Sequence, residues 1–412
     1  MQNSGFMNWA RNKVMPALGK LGSNKYMIVL RDGMIISVPF TIFGSIFMII
    51  ANLPVPGWTN IIKPFLPLLN AAINMSTGMI GLIVTLGVSY TLARENKIDQ
   101  LSASAIGVIA FIICELSNNM SLDPSNLGAT SMFTAIVVAL VSGAIYNFFI
   151  KHKIVIKLPD SVPPAVANSF VSLIPALVIL GLAWVLRCLC HLDINAFITW
   201  VFSPLTATLG SFWGMELLLF LTLFAWTIGI HGNNTVGAIS GPVYGAFLMD
   251  NMHKAMTGGV PVHITADGFL NFGMNMGGTG AILGLVICML FAKSKRYKQL
   301  AHLGLVPCIF QISEPIMFGM PVVLNPMLSI PFILVPMILQ GISYFLIKFG
   351  IIHMVIANVP WTTPIFLNGF LITGGDWKAI VWQAICLAFA VLCYWPFFKV
   401  LDKQALKQEQ AK

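Results

Sequence analysis

Glu314 is the only carboxylate between Lys298 and Lys348, and no lysine or arginine lies between those two residues. Its surroundings, residues 303–326, are otherwise as apolar as a membrane span, yet they hold four prolines, Pro307, Pro315, Pro321 and Pro326. A charged side chain at the bilayer centre costs about 2.5–3.5 kcal/mol on insertion scales. A cost of that kind goes with a polar ligand, an ion or a buried partner. Proline interrupts the helical ladder, and broken backbone at membrane depth is tolerated only inside protein or against a wet cavity. Two roles are open to Glu314: a structural carboxylate satisfied by backbone amides that Pro315 frees, or an acceptor or base facing a hydroxylated substrate. Gln311 and Ser313 flank it, and either add substrate contacts or satisfy the broken backbone.

Two further polar clusters stand out. In residues 226–235, His231 closes an apolar run and is followed by Asn233 and Asn234. It is either a helix-end histidine capping carbonyls or a ligand contact, because a neutral imidazole both donates and accepts. In residues 358–369, Trp361 and Thr362 lie between Pro360 and Pro364, so the backbone there is extended and rigid. Trp361 is then an interfacial belt residue or a stacking platform for the apolar face of a pyranose. One acid, one imidazole, several amides and a rigid indole, with no second intramembrane acid, suit a neutral polyol or sugar. An ion channel would want a ring of charges or a carbonyl filter, and a proton pump a relay of acids. Asp250, Asp267 and Glu115 are the candidates for such a relay. Each sits beside polar residues, which places it in solvent or at a span end.

The elements that must hold these clusters are membrane helices. Of 412 residues 57% are hydrophobic and 9% charged, against about 25% charged in a soluble domain, and the mean hydropathy is +0.86. The clearest apolar runs are 33–51, 75–93, 105–116, 133–150, 175–189, 215–230, 280–292, 327–347 and 379–398. About 20 apolar residues make one span, so roughly eight to ten spans are expected. The net charge of +9 comes from basic residues between the runs. They follow the positive-inside rule and do not mark a nucleic-acid surface. Arg11, Lys13, Arg94, Lys97, Lys151, Lys153 and Lys412 are among them. Both termini are then cytoplasmic, and no signal peptide is expected. The seven cysteines lie mostly in apolar runs without metal spacing, and neither a metal nor a cofactor is implied.

The chain divides in two. Residues 1–190 hold five conventional spans and a basic, proline-rich loop at 151–167. Residues 191–213, with Trp200, Pro204 and Trp213, look like an amphipathic helix in the membrane plane. Residues 214–402 are apolar runs interrupted by Gly, Pro and Asn clusters, which is the best sequence pointer to a transporter's binding site. Residues 403–412 form a cytoplasmic tail.

At these motifs the sequence resembles the membrane (IIC) component of bacterial phosphotransferase-system sugar permeases, in the lactose/cellobiose/diacetylchitobiose family. The resemblance is carried by residues 30–34 with Pro39, 157–167, 229–234, Glu314 to Pro321 with 324–326, and 359–364. It implies an all-α integral membrane protein with about ten transmembrane helices, re-entrant hairpins and an interfacial helix, assembled as a homodimer through the N-terminal half. The C-terminal half would hold a β-linked disaccharide and move like an elevator. A phosphocysteine on a separate cytoplasmic IIB protein, charged indirectly through IIA and the general phosphotransferase proteins, would phosphorylate the 6-hydroxyl. Glu314 and His231 fall on the acid and histidine that contact the sugar's reactive end. Asn233, Asn234, Gln311, Ser313, Trp361 and Thr362 complete the expected sugar contacts. The family usually reads Asn-x-Asn-Glu-Pro, and here Gln311 and Ser313 occupy the two Asn positions, which leaves the preferred disaccharide open. Nothing soluble follows residue 402, so phosphorylation would depend on the separate protein. Arg94 is either a contact for the phosphorylated partner or a topology charge. The alternative from another class is a proton-coupled sugar symporter with Glu314 as the proton carrier.

Overall fold

The computed structural model describes residues 23–51, 57–76, 78–159, 162–320, 322–323 and 325–410, together with Pro16 and Lys20. Arg11, Lys13, Pro321, Leu324 and Lys412, named above, lie outside the described residues, as do Asp160 and Ser161 of the 151–167 loop. Helix accounts for 75% of the chain, and no strand occurs among the described residues. Every buried backbone group outside a helix must therefore find a partner within the protein, because lipid offers none.

The N-terminal part is built on helix α4 (Ile80–Asn96), which is buried on most of its faces. Helices α1 (Lys25–Ile35), α5 (Gln100–Cys114) and α6 (Met132–Lys151) pack around it. α1 meets α4 through glycines: a Cβ on Gly87 would fall 2.2 Å from the Gly33 carbonyl oxygen, and one on Gly33 2.7 Å from Val88 Cα. α2 (Val38–Ala51) follows α1 after a break at Ile36 and Ser37. The apolar run read as one span at 33–51 lies within a single candidate span, Lys25–Ala51, interrupted by this break. α3 (Leu66–Ser76), α7 (Pro164–Val171) and α8 (Leu173–Trp184) complete this part. α9 (Ile194–Gly210) turns by 95° from the segment 173–189. Its start is fixed by Asp193, whose carboxylate accepts the Ala196 N–H at 2.8 Å. This helix falls within 191–213, but Trp213 belongs to the first turn of α10 (Phe212–Thr227).

In the C-terminal part, α11 (Gly232–Met256), α12 (Ile282–Leu290), α13 (Lys295–Ile309), α14 (Glu314–Gly319), α15 (Pro326–Lys348), α16 (Leu367–Ile372) and α17 (Trp377–Gln410) alternate with irregular segments. Among the described residues, by length and composition, five helical segments are able to cross a membrane, including Met132–Lys151, Pro326–Lys348 and Trp377–Gln410, and six if the bent pair counts as one. Several other apolar runs form shorter helices, such as the nine-residue α12.

Buried glutamines tie the irregular segments down. Gln340 on α15 donates to the Phe269 carbonyl at 2.9 Å and accepts the Met274 N–H at 3.3 Å. Gln383 on α17 accepts the Phe366 N–H at 2.7 Å and donates to the Asn271 carbonyl at 2.9 Å and to Asn368 Oδ1 at 2.8 Å. Both side chains are fully buried. Each supplies one donor group and one acceptor group to backbone that has left the helical ladder.

Carboxylates depart from the expectation that Glu314 alone lies inside an apolar run. Glu216 is 8% exposed within α10, against Gly341 of α15. Glu115, expected at a solvated span end, is 2% exposed and accepts the Ser131 hydroxyl at 2.7 Å. Counting by hydropathy hides one acid in a largely apolar helix.

Candidate functional site

Four irregular stretches converge on a cavity of about 530 Å³. The first joins α10 to α11. α10 ends at Thr227, and His231 then caps the start of α11. Its Nδ1 accepts the backbone N–H of Asn234 at 3.3 Å. His231 therefore caps amides, not the carbonyls expected from sequence, because it precedes α11 and does not end α10. A ring nitrogen that accepts carries no proton, so the neutral imidazole keeps its proton on Nε2 as a donor. Asn233 is oriented by two donors onto one oxygen: Trp226 Nε1 at 2.9 Å and Thr279 Oγ1 at 3.1 Å. Its Nδ2 is left as a donor group. The Trp226 and His231 rings lie 4.3 Å apart, centre to centre.

The second stretch, residues 264–281, turns back on itself through Gly277, Gly278 and Gly280, all at positive φ. It brings Asp267, Asn271, Asn275 and Thr279 to the cavity. Asp267, expected in solvent or at a span end, is thus a second acid in the same cavity as Glu314. Its Oδ1 accepts the Gly268 N–H at 3.0 Å.

The third stretch carries Gln311, Ser313 and Glu314. Gln311 is buried, and its Oε1 accepts the N–H groups of Gly277 at 2.8 Å and Gly278 at 2.9 Å. Its Nε2 donates to the Thr363 carbonyl at 3.4 Å. Ser313 packs beneath Gly278, where a Cβ would fall 2.5 Å from Ser313 Cβ. The Ser313 carbonyl accepts the N–H groups of Ile316 and Met317. The amides beyond Pro315 are thereby occupied without Glu314. Among the described residues the Glu314 carboxylate has no hydrogen-bond or ion-pair partner, and its side chain is exposed at the cavity wall.

The fourth stretch supplies Asn358, Val359 and Trp361, the last 70% exposed. Thr362 is half-buried and not part of the lining. Asn358 also reaches across to α2: its backbone N–H donates to Ser45 Oγ at 2.6 Å and its Nδ2 to Thr41 Oγ1 at 3.1 Å. Arg94 stands apart at the end of α4, paired with Asp32 at 3.3 Å and Glu95 at 3.6 Å. Glu314, His231, Asn233, Asn234, Gln311, Ser313 and Trp361 are therefore brought together, while Thr362 and Arg94 are not. Sequence reasoning missed Trp226, Asn271, Asn275 and Thr279. The glycine cluster at 258–280 was the signal for the last three.

Among the described residues no group of three or more His, Cys, Asp or Glu is placed to hold a metal. The cavity wall mixes acceptors (Glu314, Asp267) with donors (His231 Nε2, Asn233 Nδ2) and amides that do both. Such a wall matches a ring of hydroxyls, each of which donates and accepts. An indole at the rim suits an apolar ring face.

The chain's relatives are consistent with that chemistry. The lichenan permease IIC component of Bacillus subtilis (strain 168) is 36% identical, over 96% of this chain and 94% of its own length. The cellobiose-specific EIIC component of the phosphotransferase system of Geobacillus stearothermophilus is 35% identical, over 98% and 96%. Among solved structures, the transporter ChbC, the IIC component from the N,N'-diacetylchitobiose-specific phosphotransferase system, superposes with a TM-score of 0.92 at 32% identity, covering 98% of this chain and 100% of that one. A family model described as "Phosphotransferase system, EIIC" matches residues 31–336. A multi-pass all-α membrane protein with these relatives along nearly its whole length belongs to the phosphotransferase-system EIIC family of sugar permeases.

Proposed function

We propose that the chain is the membrane permease for a β-linked disaccharide of the cellobiose, diacetylchitobiose or lactose type. The sugar sits in the cavity walled by Glu314, His231, Asn233, Asn234 and Trp361, with Gln311 and Ser313 holding the wall in place. The observation that carries this reading is the unpartnered Glu314 carboxylate, facing donors across a cavity rich in amides. A relative named for cellobiose and a structural neighbour named for diacetylchitobiose support the substrate class.

A separate cytoplasmic IIB protein supplies the phosphoryl group. The sugar's 6-hydroxyl oxygen attacks phosphorus in line, the S–P bond of the IIB phosphocysteine breaks, and the thiolate leaves. Phosphoryl transfer of this kind relies on positioning and charge stabilisation. Glu314 takes the hydroxyl proton, and His231 orients the same oxygen through Nε2–H. Arg94 and its basic neighbours attract the phosphorylated partner. Both termini lie in the cytoplasm, residues 1–190 form the homodimer scaffold, 191–213 the linker, 214–402 the moving half and 403–412 the tail. The contacts of Asn358 with Ser45 and Thr41 are those an elevator movement of that half must exchange.

Asp267 gives a specific reason to keep a second reading. Two acids in one cavity suit proton-coupled symport with Glu314 as carrier. Uptake into vesicles separates the two. Group translocation requires phosphorylated IIB and yields sugar phosphate whatever the proton gradient. Accumulation of unmodified sugar driven by a proton gradient, without IIB, would overturn the permease reading in favour of symport.

A further inference from the structure

α11 runs from one cavity to another. Its first turn, with Asn233 and Asn234, lines the site described above. Its last three turns, with Asp250 and His253, line a separate cavity of about 640 Å³. A helix of 25 residues is about 37 Å long at 1.5 Å per residue, so the two cavities are lined by opposite ends of this helix.

The chemistry of the second cavity is amide-rich and close to neutral. Asn70 and Asn74 lie one turn apart on α3 and so share a face. Asn126 spends Nδ2 on the Glu115 carbonyl, and Asn195 spends Oδ1 on Thr134. Asn126 Oδ1 and Asn195 Nδ2 remain for a ligand. The one acid in the lining, Asp250, is answered by Lys254 at 2.6 Å and His263 at 2.9 Å. A groove sharing Thr130 and Asn195 leads on to Trp200, an indole 72% exposed on α9. Paired donors and acceptors without net charge, beside an exposed aromatic face, repeat in another place the chemistry that suits a neutral saccharide. The volume falls within the roughly 300–1,000 Å³ of small-molecule sites.

We propose that this cavity is a second saccharide site, an outer vestibule that holds the unmodified oligosaccharide at the end of α11 remote from Glu314. The proposal rests on the saccharide reading of the Glu314 cavity. A charged sugar phosphate is disfavoured there, because the free groups are mostly amides, Lys254 is engaged by Asp250, and among the described residues His253 is the one basic side chain in the lining itself. The vestibule therefore distinguishes incoming substrate from product.

The test uses the full-length protein in lipid nanodiscs and cellobiose as probe, read by saturation-transfer NMR. The Glu314→Gln/His231→Ala double variant silences the main site. A weak signal is expected to persist in it and to vanish when Asn70→Leu and Asn74→Leu are added. In the otherwise unaltered protein, Asn70→Leu/Asn74→Leu is expected to leave the affinity of the main site within twofold and to raise the KM of uptake about fivefold. Thermal unfolding of each variant in the same discs separates lost binding from lost fold. If the double variant binds no cellobiose while the unaltered protein does, the vestibule is refuted and the main site stands. If binding is indifferent to Glu314 and His231 but lost with the two asparagines, the reading of the main site fails and the vestibule stands. Residual binding that survives both pairs of changes refutes the vestibule.

Discussion

Gly278 donates its backbone N–H to Gln311 Oε1 at 2.9 Å, across 33 residues of chain. The same oxygen accepts Gly277. A residue placed beside Glu314, where a sugar contact was expected, thus spends its acceptor on the loop opposite. Gln311→Leu leaves two buried N–H groups unpaired, at about 1–3 kcal/mol each. The variant should unfold at a lower temperature, and amide exchange at 275–280 should accelerate at least tenfold. Unaltered exchange there would mean that the bond does not hold the loop.

Gly278 itself is fixed by space and by conformation. Its φ is +91°, and a Cβ would fall 2.5 Å from Ser313 Cβ. Gly278→Ala should cost sugar affinity at least tenfold. The matched control is Gly237 on α11, which meets nothing within 4 Å and, as a helix-interior glycine, should gain up to about 1 kcal/mol on change to alanine. Equal losses in the two variants, measured by calorimetric titration with cellobiose, would remove the steric argument.

Glu314→Gln keeps the shape of the side chain and removes the charge. Hydrogen bonds to charged groups contribute about 1.5–3 kcal/mol, so affinity should fall roughly 10- to 150-fold. If Glu314 is also the base, phosphorylation in the presence of IIB should fall further than binding does. A loss in binding alone, with turnover at saturating sugar unchanged, would reduce the carboxylate to an anchor.

Trp361 is offered as a platform for a ring face. At about 25 cal/mol per Å², covering some 80 Å² of indole stabilises the complex by about 2 kcal/mol. Trp361→Phe should retain most of that, and Trp361→Ala should weaken binding roughly 30-fold. Equal affinities for the phenylalanine and alanine variants would count against stacking.

The contact between Asn358 and α2 should be separable from sugar binding. Thr41→Val with Ser45→Ala removes both hydroxyl partners. Hydrogen exchange at Asn358 and its neighbours should then rise about tenfold while the unfolding temperature changes by only a few degrees. A cooperative loss of the whole fold would show that these hydroxyls are part of its core.

The membrane class and most of the cavity wall were legible in the sequence, because a lone acid, an imidazole before paired amides and a proline-flanked indole are rare in apolar runs. Of the two roles open to Gln311 the structure shows the backbone one, but its partners were not legible in advance, since they lie 33 and 34 residues away and spacing along a chain says nothing of a loop that folds back. Asp267 was placed in solvent for the same reason: the turn through Gly277, Gly278 and Gly280 was visible as glycine, but not its direction. Glu216 was hidden by hydropathy averaging, whereas Glu115 was seen and assigned to solvent or a span end. Thr362 was included by adjacency to Trp361, but the two residues form a turn closed by the Thr363 N–H on the Pro360 carbonyl at 2.8 Å, not the extended backbone expected there.

Three residues that staple loops of the C-terminal half, Gln311, Gln340 and Gln383, are amides. An amide does not titrate, so these particular bonds are held identically in acidic and alkaline media. It also carries no charge through an electric field. Each carboxylate used in their place would add about 2.3 kcal/mol per 100 mV to a full crossing of the membrane potential. Glutamine braces these loops without adding charge to the half that carries them.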